Sequence, residues 1–254
     1  MTGPVHGLPA AVQFLTRVPV RLRDEPAMAK AIPWFPVVGA AVGAVVGGVA
    51  AGLWYWLPPL LAASVGVLVG VLVTGAFHED GLADVADAFA GGWTVERRLE
   101  ILKDPRHGSY GVAALSGSIV LRVVALGSMV GPAAMFAAAV AAHALGRAAA
   151  VVVMRLARPA RSGGLGAGHV LAVGRGGAMA GALAALAIAG LAVGWWVLPL
   201  AGAAVAGAAA VTWLAVRKIG GVSGDVFGAI EQVVECLCLV VTSGLALHHP
   251  LWWA

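Results

Sequence analysis

Three aspartates, Asp80, Asp84 and Asp87, are spaced i, i+4 and i+7 in a chain that is otherwise almost uncharged. At about 100° per residue that spacing places all three on one face of a helix. Carboxylates held so close repel one another unless they are protonated or bridged by a cation. A hard divalent ion, Mg²⁺ above all, is the natural bridge, because it takes carboxylate oxygens and leaves room for phosphates. The competing account is a solvated segment with incidental acids. Residues 78 to 111 hold seven of the twelve acidic residues and four of the sixteen lysines and arginines.

A second acidic set, Asp225, Glu231 and Glu235, lies near the other end of the chain. Glu231 and Glu235 open an apolar run, where carboxylates are costly and usually functional. Asp225 follows the turn GGVSG, whose backbone amides around Ser223 suit an anion. Two acidic sets entering the membrane from the same side suggest one shared site. Simple pairing of the second set with Arg217 or Lys218 is the alternative.

The run KDPRHGSYG adds Lys103, Asp104, Arg106, His107, Ser109 and Tyr110. A cation-rich, glycine-broken loop beside carboxylates is what binding a nucleotide diphosphate together with Mg²⁺ requires, although unremarkable loops share this content. Arg122 and Arg147 lie within apolar runs and need partners, either the acids or a bound diphosphate. His143, one turn before Arg147, is more often a packing residue than a catalyst. Cys236 and Cys238 are two apart on an apolar helix and face different sides, which argues against a disulfide or metal pair.

The elements that position these residues are apolar. The composition is 61% hydrophobic and 11% charged over 254 residues, far from an average soluble domain. Runs of about 20 apolar residues recur, each long enough to cross a hydrocarbon layer of about 30 Å. The fold class is therefore all-α: a polytopic membrane helical bundle forming one domain over residues 1–254, with 79–110 as a cytoplasmic acidic/basic catalytic loop. Seven spans are expected, near 34–56, 60–77, 111–130, 133–156, 177–198, 199–216 and 229–247. The second is expected to continue into the aspartate helix.

Residues 5 to 20 are short and amphipathic and suit the membrane interface; no basic segment precedes them, so no cleaved signal is expected. Gly39, Gly43 and Gly47 give the first span a smooth face for helix contact. Thr94 is placed to cap a short helix, VERRLEILK.

Lysines and arginines alternate between connections. Four lie before the first span, four after the second, four after the fourth and two after the sixth, with none in the connections between. That alternation puts the N-terminus and the chemistry on the cytoplasmic side. The net charge of +4 reflects these loops and does not indicate nucleic acid.

FLTRVPV, FHEDGLADVADAF, RRLEILKDPRHGSYGVAAL and GGVSGDVFGAIEQVVE, taken in order, resemble the signature blocks of the cobalamin synthase (adenosylcobinamide-GDP ribazoletransferase) family. Arg147 falls where that family also places an arginine. Pro105 stands in place of a serine, His107 in place of an aliphatic residue, and Glu79 where leucine is common.

The resemblance implies an enzyme of the bacterial or archaeal cytoplasmic membrane. Its reaction would transfer cobinamide-phosphate from adenosylcobinamide-GDP to α-ribazole or its 5′-phosphate, releasing GMP, with Mg²⁺ as cofactor. Asp80, Asp84, Asp87, Asp225 and Glu231 would hold the metal, and Asp84, Lys103, Arg106, His107 and Arg147 would be catalytic. Asp104, Ser109, Tyr110, Ser223 and Glu235 would bind substrate. Other cobalamin-assembly enzymes are conceivable partners.

Rivals remain from other classes. A UbiA-like prenyltransferase needs paired aspartate motifs, which DVFGAIEQVVE lacks in form. A CDP-alcohol phosphotransferase needs an arginine after the alanine of DGLA. A transporter using Arg122, Arg147 and Glu235 as a relay would commonly show internal repeats, and none is evident. A non-catalytic scaffold leaves the acids without a purpose.

Overall fold

The computed structural model describes residues 7–22, 28–160 and 173–253. The polar stretch at 23–27 and the centre of the basic, glycine-rich loop, 161–172, lie outside the described residues. Within them the chain is helical, and its one extended contact is an isolated bridge between Pro159 and Val222.

α1 (Gly7–Leu15) is short and buries Ala10, Ala11 and Leu15. It packs on the protein through Phe14, whose ring stacks on Phe35 at 5.4 Å. α2 (Met28–Ala31) and a 3₁₀ turn begun by Pro33 lead into α3 (Phe35–Leu53). α4 (Pro59–Thr74) follows the Pro58–Pro59 turn. α5 (Phe77–Gly91) carries the three aspartates, and α6 (Val95–Ile101) is capped by Thr94, whose hydroxyl accepts from the Arg97 N–H at 3.2 Å. α7 (Ser109–Gly127) and α8 (Pro132–Leu156) are joined across Gly131. α9 (Arg175–Val193) passes through a 3₁₀ turn at Gly194–Trp196 into α10 (Val197–Ile219). α11 (Gly224–Ala246) starts at Ser223, whose hydroxyl accepts from the Val226 N–H.

Five helical stretches are long and apolar enough to cross a membrane: Met28–Leu53, Ser109–Gly127, Pro132–Leu156, Arg175–Ile219 and Gly224–Ala246. The bent pair α4–α5 raises the number to six. The chain is thus a multi-pass bundle by length and composition. The aspartate helix does not simply continue the second span, as the sequence had implied. Gly75 (φ +67°) and Ala76 (φ +58°) are both left-handed, and the axis turns by 89° there. A non-glycine residue in that conformation costs about 1–2 kcal/mol, so the surrounding packing must impose this bend. The expected catalytic loop at 79–110 is itself largely helical, being α5, α6 and the start of α7.

α8 is the axis of the bundle, buried along most of its length, with α3, α9, α10 and α11 against it. The glycine face of α3 makes the closest approach. A Cβ at Gly47 would lie 2.7 Å from the Phe136 Cα, and one at Gly43 would meet the Ala139 carbonyl. α5 lies on α11 and α7, crossing α11 where Gly81 meets Gly228.

Candidate functional site

The crossing of α5 and α11 assembles the open part of the site. A Cβ at Gly81 would lie 2.8 Å from the Asp225 carbonyl oxygen, and one at Gly228 3.2 Å from that of His78. Two glycines therefore let Asp225 come up beside the aspartate face of α5. His107, from the loop before α7, places its Nε2 3.4 Å from Asp80 Oδ1 and its Nδ1 3.5 Å from Asp84 Oδ1. One ligand atom from each of Asp80, Asp84 and His107 lies within 4.8 Å of the others. Burial, and then the neighbouring Asp80 and Asp225 charges, push the Asp84 carboxyl up to about 6. An oxygen-rich set of this kind fits a hard divalent ion.

Asp87, the third aspartate of the face, has a different task. Its Oδ2 accepts from the Gly108 N–H at 2.6 Å and its Oδ1 from the Gly111 N–H at 2.8 Å. It caps α7 from outside, at a helix start where Gly108 has no side chain of its own to do so. Both carboxylate oxygens are thus engaged by amides. The cap also fixes the backbone next to His107.

In the same loop Asp104 chelates Arg106, accepting from Nε at 2.8 Å and Nη2 at 2.6 Å. These bonds hold the Asp104 carboxyl down at about 2. Arg106 itself is solvent-exposed. Lys103, Ser109 and Tyr110 are also exposed, and Ser223 donates to Asp225 Oδ2 at 3.3 Å.

The remaining expected site residues are elsewhere. Arg147, Glu231 and Glu235 are at most 2% exposed and form a buried ionic network. Arg122 donates through Nη2 to Glu79 Oε1 at 2.9 Å and through Nη1 to Glu235 Oε1 at 3.1 Å. Arg147 Nη1 donates to Glu235 Oε2 at 3.1 Å and also pairs with Glu231. His143 Nδ1 lies 2.9 Å from Glu235 Oε2, and Gln232 donates to Glu231 Oε2 at 3.0 Å.

His143, Glu231 and Glu235 have metal-ligand spacing, but guanidinium groups already fill the cationic role there. The acids therefore do not pair with Arg217 or Lys218. Arg217 stacks over Trp213, and Lys218 donates to the Phe89 carbonyl at 3.1 Å. The structure thus gathers Asp80, Asp84, Asp225 and His107, and separates them from Arg147, Glu231 and Glu235.

Sequence reasoning gave Glu79 no site role. It follows from the helix: one residue before Asp80 is about 100° away, on the face turned into the bundle. The capping role of Asp87 had no local signal, because its amides lie more than twenty positions on.

Residues 7–243 match the family model described as cobalamin-5-phosphate synthase. A Bradyrhizobium diazoefficiens protein named adenosylcobinamide-GDP ribazoletransferase is 40% identical over 253 residues, spanning 96% of this chain and 95% of its own. Proteins of the same name from Azorhizobium caulinodans and Chlorobium phaeobacteroides are 41% and 37% identical. They span 91% and 96% of this chain, and 92% and 99% of their own lengths. No solved structure matches the chain.

Proposed function

This chain belongs to the cobalamin-5-phosphate synthase family, and we infer that its open carboxylate face is the place of reaction. It is an adenosylcobinamide-GDP ribazoletransferase, an enzyme that makes cobalamin. Adenosylcobinamide-GDP donates cobinamide-phosphate, and α-ribazole or its 5′-phosphate accepts it. The acceptor hydroxyl oxygen attacks the phosphorus on the cobinamide side, the bond to the GMP phosphate breaks, and GMP leaves with that bridging oxygen.

Asp80, Asp84 and Asp225 would hold Mg²⁺. Held there, the ion would supply neutralisation of phosphate charge. His107, whose ring nitrogens lie 3.4 Å from Asp80 and 3.5 Å from Asp84, takes the proton from the acceptor hydroxyl. Lys103 is exposed, has no ion-pair partner among the described residues, and meets the phosphates at the rim. Arg106 is held by Asp104 and contributes from further out. Arg147, Glu231 and Glu235 position the helices beneath the site. The observation that carries this reading is the convergence of carboxylates from α5 and α11 at the Gly81–Gly228 crossing.

The seven-span topology, N-terminus in the cytoplasm, belongs to the same proposal. The stretch Arg175–Ile219 has 45 residues, about 68 Å of helix, twice what a hydrocarbon layer needs. It breaks at Gly194 (φ +61°), which sits against Trp252. Its two ends return to the side of the site, Gly177 against Pro33 and Lys218 against Phe89. Read as a hairpin, with α4 as a span of its own, it completes seven crossings. The alternation of basic loops then puts the carboxylates at the cytoplasmic face of the cell membrane.

The test is GMP release by purified protein given adenosylcobinamide-GDP and α-ribazole, with Mg²⁺ and then with chelator. Release should require both substrates and stop on chelation. Release that continues undiminished without divalent ions would overturn the metal assignment.

A further inference from the structure

Beside Asp80, a cavity of about 380 Å³ opens where α1, α4 and α5 meet. Gln13, Thr16, Arg17, Thr74, Phe77 and Asp80 line it. Asp80 is thus a shared wall, facing the carboxylate cluster on one side and this cavity on the other. The volume lies within the range of about 300–1,000 Å³ usual for small-molecule sites. A nucleotide fits it, and the corrinoid half of a substrate does not.

The cavity is built around Arg17. Its backbone N–H donates to the Val73 carbonyl at 2.7 Å. Its guanidinium lies on Gly75, where a Cβ would stand 2.9 Å from Cζ. Thr16 donates to the Val12 carbonyl at 2.7 Å and accepts from the Val18 N–H, and Gln13 donates to the Val20 carbonyl at 3.3 Å, so the segment is clamped from both ends. Among the described residues no carboxylate lies within ion-pair distance of this guanidinium, unlike those of Arg97, Arg106, Arg122 and Arg147, although Asp80 lines the same cavity. Arg21, Arg98, Arg155, Arg158, Arg175 and Arg217 share that lack of a carboxylate, and the cavity distinguishes Arg17 from them. A guanidinium held in this way at a cavity beside a site that handles phosphates has the chemistry to take a phosphate. Phe77 adds a half-exposed aromatic ring, held edge-on to Phe14 at 5.3 Å. An aromatic base has a surface to lie against there.

We propose that this cavity binds a nucleoside 5′-monophosphate unit of one of the two substrates, with Arg17 on the phosphate and Phe77 against the base. The proposal rests on the transferase reading above. Two sources share that chemistry: the GMP half of the donor, and the acceptor when it carries its 5′-phosphate.

The experiment measures dissociation constants of GMP, guanosine, α-ribazole 5′-phosphate and α-ribazole for the detergent-solubilised full chain, its Arg17→Ala variant and its Arg17→Lys variant, alongside KM values for donor and acceptor. Arg17→Ala should weaken one of the two monophosphates tenfold or more. The matching nucleoside should move less than threefold, and Arg17→Lys should recover part of the loss. Loss confined to GMP, with a raised KM for the donor, assigns the cavity to the donor. Loss confined to α-ribazole 5′-phosphate assigns it to the acceptor. If both monophosphates bind Arg17→Ala within threefold of wild type, the subsite is wrong even though wild-type turnover stands. If wild type binds a monophosphate through Arg17 but releases no GMP from donor and acceptor, the subsite stands and the transferase reading falls.

Discussion

Two groups of charged residues are drawn from the same elements and do different things. Asp80, Asp84 and Asp225 stand at an open face on α5 and α11, with one imidazole and no guanidinium among them. Glu79, Glu231 and Glu235, from those same two helices, lie buried and are answered by Arg122 and Arg147 from α7 and α8. Glu79 and Asp80 are consecutive residues. The difference teaches that a carboxylate's role here follows from which helix face it occupies. Acids facing outward keep oxygens available and repel one another, which suits a cation and phosphates. Acids facing inward survive burial only because each meets a guanidinium, and removing one side of such a pair is far more costly than the pair's net worth.

The contrast can be broken most sharply at Asp84. Asp84→Ala should lower GMP release at least about a thousandfold, consistent with loss of transition-state charge stabilisation. Its apparent melting temperature in detergent should stay near wild type. Retained turnover would remove Asp84 from the metal site. Glu235→Ala should do the reverse in kind. By leaving Arg122 and Arg147 short of a counter-charge it should cost about 3–5 kcal/mol of stability, read as a fall in melting temperature. An unchanged melting temperature would mean that the network is not structural.

Asp87 tests where the boundary between the two groups runs. As a cap, Asp87→Asn should cost about 0.5–2 kcal/mol and hold activity within about tenfold, since the amide oxygen still accepts one of the two amide bonds. A loss as complete as that of Asp84→Ala would make it a metal ligand instead.

The smallest effect is on pH. Asp84 is raised from 3.8 to about 6, so it is ionised above that pH and protonated below it. Divalent-ion binding must displace that proton, so Mg²⁺ affinity should fall about tenfold per pH unit below about 6 and level off above it. Calorimetry with Mg²⁺ across pH 5 to 8 reads this directly, and a flat profile would show that Asp84 does not meet the ion.

Much of the arrangement was legible beforehand, and each legible part has a local cause. The period of Asp80, Asp84 and Asp87 is a property of one helix. The smooth face of Gly39, Gly43 and Gly47 is another, and it does meet Phe136, Ala139 and His143 of α8. Thr94 caps the helix expected of it. The resemblance to cobalamin synthases rested on blocks spread along the chain, and the family match covers them. What could not be read locally was the fate of each charge once helices met. Arg147, Glu231 and Glu235 were expected at the substrate because nothing in their neighbourhood says that Arg122 and Glu79 will arrive beside them. Asp87 looked like its two companions until the start of α7 folded onto it.

By itself, then, the sequence determined the helical bundle and the residue types available to the reaction, because hydropathy, helical period and capping act over a few consecutive residues. The tertiary structure decided which acids gather at the open face and which face an arginine. It also placed the bend at Gly75–Ala76 and the seat of Arg17 against it. The reason is physical: a carboxylate's partners are set by the crossing of α5, α7, α8 and α11, and a crossing joins residues 43 to 113 positions apart, a distance over which no local pattern carries information.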